Sequence, residues 1–153
     1  MAKIVGTEGE TTGAVYKITI GRPDIKMVEM GAPINARMGL NTWAAFYGSD
    51  ADAVVAINMV HIAPWAASLG LLDGAARLLD RGAPLILYGP WIERDVPTAA
   101  SNLAFDADLR ARNPQWGLRE VEQFADEAAR RGLELVERRA MPANNLMLLL
   151  RRL

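Results

Sequence analysis

The sequence predicts an α/β domain, a sheet with parallel strands joined by helices, and three observations carry that prediction. Ala53-Val54-Val55-Ala56-Ile57 is small, β-branched and apolar on both faces, the pattern of a strand buried in a parallel sheet. Downstream, Leu71, Leu72, Ala75, Leu78 and Leu79 recur at the spacing of one helix face, before a further all-apolar run, Pro84 to Tyr88. Finally, two strand-like runs at the carboxyl terminus are separated only by Pro142-Ala143-Asn144-Asn145, and strands joined so tightly pair antiparallel.

Taken in order, residues 1–13 are rich in Gly, Thr and Glu and read as a leader or loop. Residues 14–20 alternate and are β-branched, a strand, and residues 25–30 are a second short strand after the Gly21-Arg22-Pro23-Asp24 turn. Residues 34–49 hold Trp43, Phe46 and Tyr47 but show neither period clearly. A strand over 52–60, a helix over 65–80 closed by Arg81-Gly82, and a strand over 84–88 make a right-handed βαβ unit. Residues 91–117 are a long polar excursion with a short helix over 101–110 and a break at Asn113-Pro114. A helix over 118–131, a strand over 133–139 and a last strand over 146–150 follow. Residues 1–49 are thus an atypical amino-terminal segment and 50–153 the recognisable part of one domain.

Composition narrows the function. A net charge of −1 over 153 residues leaves no field for nucleic acid or an anionic membrane, and no apolar run approaches the length of a membrane helix. The absence of cysteine excludes thiolate chemistry and disulfides and suits a cytoplasmic protein; a single histidine makes a histidine-based metal site improbable, so no metal is expected.

The element order β-α-β-α-β-β from residue 52 is that of the second half of a class I methyltransferase-like, Rossmann-like sheet: mostly parallel, with an antiparallel carboxyl-terminal hairpin and here a reduced amino-terminal half. Five motifs sharpen this. They are Ile57-Asn58-Met59-Val60-His61-Ile62-x-Pro64-Trp65; Tyr88-Gly89-Pro90; Thr98-Ala99-x-Ser101-Asn102-x-x-Phe105-Asp106-x-x-Leu109-Arg110; Arg112-Asn113-Pro114-x-Trp116-Gly117-x-Arg119; and Met141-Pro142-Ala143-Asn144-Asn145-Leu146. Over residues 50–153 the chain resembles the uncharacterised methyltransferase-like family that includes methyltransferase-like protein 26. The resemblance implies S-adenosylmethionine as cofactor and a small molecule as methyl acceptor. It departs at Pro97, where a histidine is expected, and at Ala100, where a proline is expected. The Gly-rich cofactor loop that should follow a first strand is not found: Gly6-Thr7-Glu8-Gly9 and Gly31-Ala32-Pro33 neither follow a clear strand nor open a helix.

The candidate catalytic residues are Asn58, His61 and Tyr88, at strand ends where open α/β sheets bind ligands. Asn58 with the adjoining Met59 is the candidate cofactor contact, and His61 the candidate general base. Trp65, Ser101, Asn102, Asp106, Arg110, Trp116, Asn144 and Asn145 are candidates for substrate binding. Each also has a plain structural reading: Asn58 caps a turn, His61 bonds nearby backbone, the two tryptophans are core anchors, Asp106 and Arg110 form an ion pair, and Asn144 and Asn145 stabilise a turn. Two functions stay open, a methyltransferase and a non-catalytic, truncated methyltransferase-like protein or interaction module whose exposed sheet edge would invite homodimerisation. The terminal hairpin and the missing glycine fingerprint count against a nicotinamide-nucleotide binder.

Overall fold

A computed structural model describes residues 10–12, 15–21, 27–29, 32–34, 41–47 and 53–153. The strands are β1 (Glu10–Thr12), β2 (Val15–Gly21), β3 (Met27–Glu29), β4 (Ala32–Ile34), β5 (Asn41–Tyr47), β6 (Ala53–Ile57), β7 (Pro84–Gly89), β8 (Leu133–Met141) and β9 (Asn145–Arg152). The helices are α1 (Trp65–Leu78), α2 (Ala100–Arg112) and α3 (Val121–Ala129), with a 3-10 turn at Val60–Ile62. Seven strands form one sheet in the order β1-β2-β5-β6-β7-β9-β8, and β3 pairs with β4 separately.

The expected mostly parallel sheet is in fact mixed. Only β6 and β7 run parallel; every other neighbouring pair in the described sheet is antiparallel. The reason is connector length. Between Tyr47 and Ala53 lie only residues 48–52, too few for a crossover, so β5 returns beside β6 with Trp43 opposite Ile57 and Tyr47 opposite Ala53. The βαβ unit and the terminal hairpin match their expectations, and β9 inserts between β7 and β8. The unassigned stretch 34–49 contains β5, and β1 occupies the end of the expected leader, opposite Val15 to Lys17. Residues 1–9 lie outside the described residues.

Element ends shift for local reasons. The first strong strand stops at Ile57 because Asn58 adopts a left-handed φ of 51°, which asparagine tolerates better than other side-chain-bearing residues. Pro64 precedes the first helical residue of α1, and the helix ends at Leu78, before Arg81-Gly82. The helix expected over 118–131 begins only at Val121, since Glu120 is extended (φ −73°, ψ 134°) and the Leu118 N–H donates to Asp106 Oδ1 at 2.7 Å rather than to a helix carbonyl.

The core lies on one sheet face. Val54, Ala56, Leu85, Leu87, Leu146, Leu148 and Leu150 point from the strands to Leu72 and Ala75 of α1 and Phe124 and Ala128 of α3. Phe124 is its centre, with the rings of Trp91 and Trp65 edge-on to it at 5.2 and 6.3 Å. Burying each such Leu or Phe contributes about 1.5–3 kcal/mol. Alternate residues Ile57, Ile86, Tyr88, Met147 and Leu149 are half-buried on the opposite face. A smaller core of Leu109, Trp116 and Leu118, with Ile62, Ile92 and Phe105, fastens α2 to the carboxyl edge of the sheet. Strand β8 closes the sheet with a bulge between Leu135 and Glu137 and with exposed Glu134, Arg138 and Arg139, features that blunt an edge against pairing. Among the described residues no helix is long and apolar enough to cross a membrane.

Candidate functional site

At the carboxyl ends of the parallel pair, β6 and β7, the chain gathers neutral polar groups. The Asn58 N–H donates to the Tyr88 carbonyl at 2.9 Å, which ties the two strand ends together. Beyond Tyr88, Gly89 leaves room for its neighbours: a Cβ there would lie 3.2 Å from His61 Cε1 and 3.3 Å from Asn58 Oδ1. Glycine is therefore what lets Asn58 and His61 close over the end of β7.

His61 is 5 % exposed, and its ring meets Phe105 edge-on at 5.6 Å. Neither ring nitrogen has a hydrogen-bond partner among the described residues, so the expected orienting bond to nearby backbone is not what holds it. The main chain does that work instead. The His61 carbonyl accepts from Gly117 N–H at 2.9 Å, and Arg119 donates to the carbonyls of Ala63 at 2.8 Å, Gln115 at 2.8 Å and Val60 at 3.4 Å. The same guanidinium lies 5.6 Å over the Trp65 ring. Burial, with the Arg119 charge adding to it, lowers the His61 pKa to about 4.

A second group joins α2 to the β8–β9 turn. Tyr88 Oη accepts from Asn145 Nδ2 at 3.2 Å, and the same amide nitrogen donates to the Pro142 carbonyl at 3.1 Å. Asn102, 7 % exposed, donates through Nδ2 to the Asn144 carbonyl at 2.9 Å, while Asn144 Nδ2 donates to Ser101 Oγ at 3.1 Å. Ala143 and Asn144 both have left-handed φ, 58° and 56°. Asn102, Asn144 and Asn145 border a cleft of about 210 Å³, walled by Trp91, Val96, Met141 and Leu146.

The structure thus brings Asn58 and His61 together at one point, Tyr88 and Asn145 together in a second group, and Asn144, Asn102 and Ser101 in a third beside it on the β8–β9 turn. The remaining candidates are committed elsewhere. Asp106 accepts from Arg110 Nε at 2.8 Å and from the Leu118 N–H, clamping α2 to the following loop. Trp116 fills the smaller core, Trp65 packs on Phe124, and half-buried Met59 packs against the main core. Arg119, Gly89 and Gly117 stand in the sequence motifs but are not among the candidate site residues. Gly89-Pro90 reads as a turn, but nothing local shows that two side chains from the segment after β6, Asn58 and His61, occupy the space beside it.

The described residues suit a methyl acceptor better than they suit S-adenosylmethionine. The carboxyl edge of β6 and β7 presents neutral polar groups, Asn58, His61 and Tyr88, that suit a small acceptor. The described residues do not form a Gly-rich loop between a strand and a helix. Ala32 and Pro33 lie in β4, paired with β3, Gly31 and Gly6–Gly9 lie outside the described residues, and the neighbour of β6 on that side is antiparallel. A loop of that kind needs backbone N–H groups at a helix start, and the first described helix begins at Trp65.

Several solved structures share the fold at low sequence identity. The mitomycin 7-O-methyltransferase MmcR superposes with a TM-score of 0.61 at 21 % identity, over 69 % of this chain and 30 % of its own. An O-methyltransferase family protein from Burkholderia thailandensis gives 0.57 at 20 % identity, over 69 % and 31 %. CalO1, a methyltransferase in calicheamicin biosynthesis solved in its SAH-bound form, gives 0.56 at 11 % identity, over 65 % and 29 %. The chain spans about a third of the length of these structures, and the likeness establishes a methyltransferase-like fold. The model of the family described as protein of unknown function DUF938 matches residues 15–152, and the chain belongs to that family.

Proposed function

We propose that this chain carries the acceptor-binding side of an S-adenosylmethionine-dependent methyltransferase acting on a small molecule. The observation that supports it most is the convergence of Asn58, His61 and bare Gly89 at the carboxyl ends of the parallel strands, where α/β sheets take ligands. The methyltransferase-like fold of the neighbours and the finer resemblance to the family that includes methyltransferase-like protein 26 support the same reading.

In such a site the protein's contribution is orientation. Asn58 and Tyr88 offer hydrogen bonds to the acceptor, and the neutral His61 ring lines the site. A proton taken up by His61 would create a buried imidazolium beside Arg119, so strong base catalysis at this nitrogen is disfavoured. Holding the acceptor in line is the larger contribution. S-adenosylmethionine would supply the electrophilic methyl group; among the described residues there is no Gly-rich loop to hold it.

That lack favours the second reading, a methyltransferase-like protein without catalysis. Calorimetry of the full chain with S-adenosylmethionine separates the two. The enzyme reading expects saturable heat with a Kd on the order of micromolar; absence of heat and of any thermal shift at millimolar cofactor would leave the non-catalytic reading.

A further inference from the structure

The cleft between the start of α2 and the β8–β9 turn is built from groups whose hydrogen-bonding directions can be worked out. Asn102 Nδ2 and Asn145 Nδ2 both face main-chain carbonyls, Asn144 O and Pro142 O. A carbonyl only accepts, so the amide nitrogens must lie on that side and the orientation of both side chains is determined. Their Oδ1 atoms therefore face away from these partners, and among the described residues neither has a donor. Asn102 is nearly enclosed and lines the cleft, and with its amide nitrogen donating to the Asn144 carbonyl, Oδ1 is the acceptor it has left to offer a bound molecule.

The remainder of the lining defines what fits. Glu93 and Arg138 are its only charged residues, and they neutralise one another in a two-point ion pair with Arg138 Nε at 2.7 Å from Glu93 Oε1. The rest of the lining is mixed: Thr98 and Asn144 add neutral polar groups, while Trp91, Val96, Met141 and Leu146 supply the apolar part, and Val96 is 50 % exposed. The volume, about 210 Å³, is below the roughly 300–1,000 Å³ of sites for drug-sized ligands.

We propose that this cleft binds a small, uncharged molecule bearing hydroxyl or N–H donors, with the amide oxygens of Asn102 and Asn145 as its acceptors and the Trp91, Val96 and Met141 side chains as its apolar bed. Neither a cofactor nor methyl transfer enters this inference, so it stands or falls separately from the function proposed above.

The test uses the full chain, without cofactor, and two probes of similar shape. Resorcinol carries two donors; 1,3-dimethoxybenzene carries none. Titration of each to about 20 mM, a range suited to weak ligands, is followed by amide and side-chain NH₂ signals in nitrogen–proton correlation spectra. Resorcinol is expected to shift residues 96–102 and 140–146 saturably. The ether is expected to bind at least ~10-fold more weakly, the value of about one hydrogen bond. Asn102→Leu should weaken resorcinol similarly. Val96→Trp, an exposed change at the mouth that leaves both amides in place, should also weaken it if Asn102→Leu does not fold. Equal binding of the two probes, saturable shifts confined to other residues, or no saturable shift at all would overturn the proposal.

Discussion

Lowering the pH should destabilise this protein through one identifiable group, His61. The folded-state pKa is held at about 4, first by burial and then by the Arg119 charge, against an ordinary value of 6.5. The unfolded chain therefore takes up a proton at His61 as pH falls through 6.5, while the folded chain does so only near 4. Stability is complete above about 6.5 and is lost progressively between 6.5 and 4. With 1.36 kcal/mol per pKa unit, the loss relative to pH 7 reaches about 2 kcal/mol at pH 5 and about 3 kcal/mol at pH 4. Urea unfolding of the wild type and of His61→Gln at pH 7 and 5 isolates this contribution, because carboxylate titrations cancel in the difference. The chain has a single histidine, so its imidazole C2 proton can also be followed directly without assignment. A midpoint near 6.5 in the folded protein, or identical pH dependence in wild type and His61→Gln, would refute the burial and the electrostatics argued for this ring.

Gly117→Ala should cost about 3 kcal/mol, read as a shift in the urea midpoint, because φ is +137° and the new Cβ would lie 2.7 Å from Asp106 Oδ1 and 2.8 Å from Arg110 Cζ, breaking the α2 clamp. Phe124→Ala should cost about 3–5 kcal/mol in the same assay, since it empties the centre of the core where Trp65 and Trp91 meet. Tyr88→Phe should change stability by only about 1 kcal/mol, because Asn145 Nδ2 keeps its Pro142 partner, while the Asn145 side-chain NH₂ resonances move.

The carboxyl-terminal two-thirds was legible because its signals are local and redundant. Apolar strands, helix periodicity and a connector too short for anything but a hairpin all specify β6 through β9 without reference to distant residues. Strand β5 was not legible, because Asn41-Thr-Trp-Ala-Ala-Phe-Tyr47 alternates poorly and its pairing depends on β2 and β6. The late start of α3 was hidden for a similar reason: the group that keeps Leu118 out of the helix, Asp106, lies twelve residues earlier. At the site, residue type was visible but side-chain direction was not. Trp116 and Asn102 looked equally available in the sequence, yet one ring is buried in the smaller core while the other side chain borders the cleft.

The charges at this edge of the sheet are occupied in holding it together. Asp106 binds Arg110 and the Leu118 amide, Arg119 binds three carbonyls, and Glu93 binds Arg138. What remains around the strand ends and the cleft is neutral: the amides of Asn58, Asn102 and Asn145, the Tyr88 hydroxyl and an imidazole kept uncharged by burial. Neutral groups in a partly desolvated site orient a ligand through directed hydrogen bonds and offer little stabilisation to a full charge. Such an edge suits the positioning of an uncharged small molecule better than acid–base chemistry upon it. The charged clamps beneath it supply the rigidity that positioning requires.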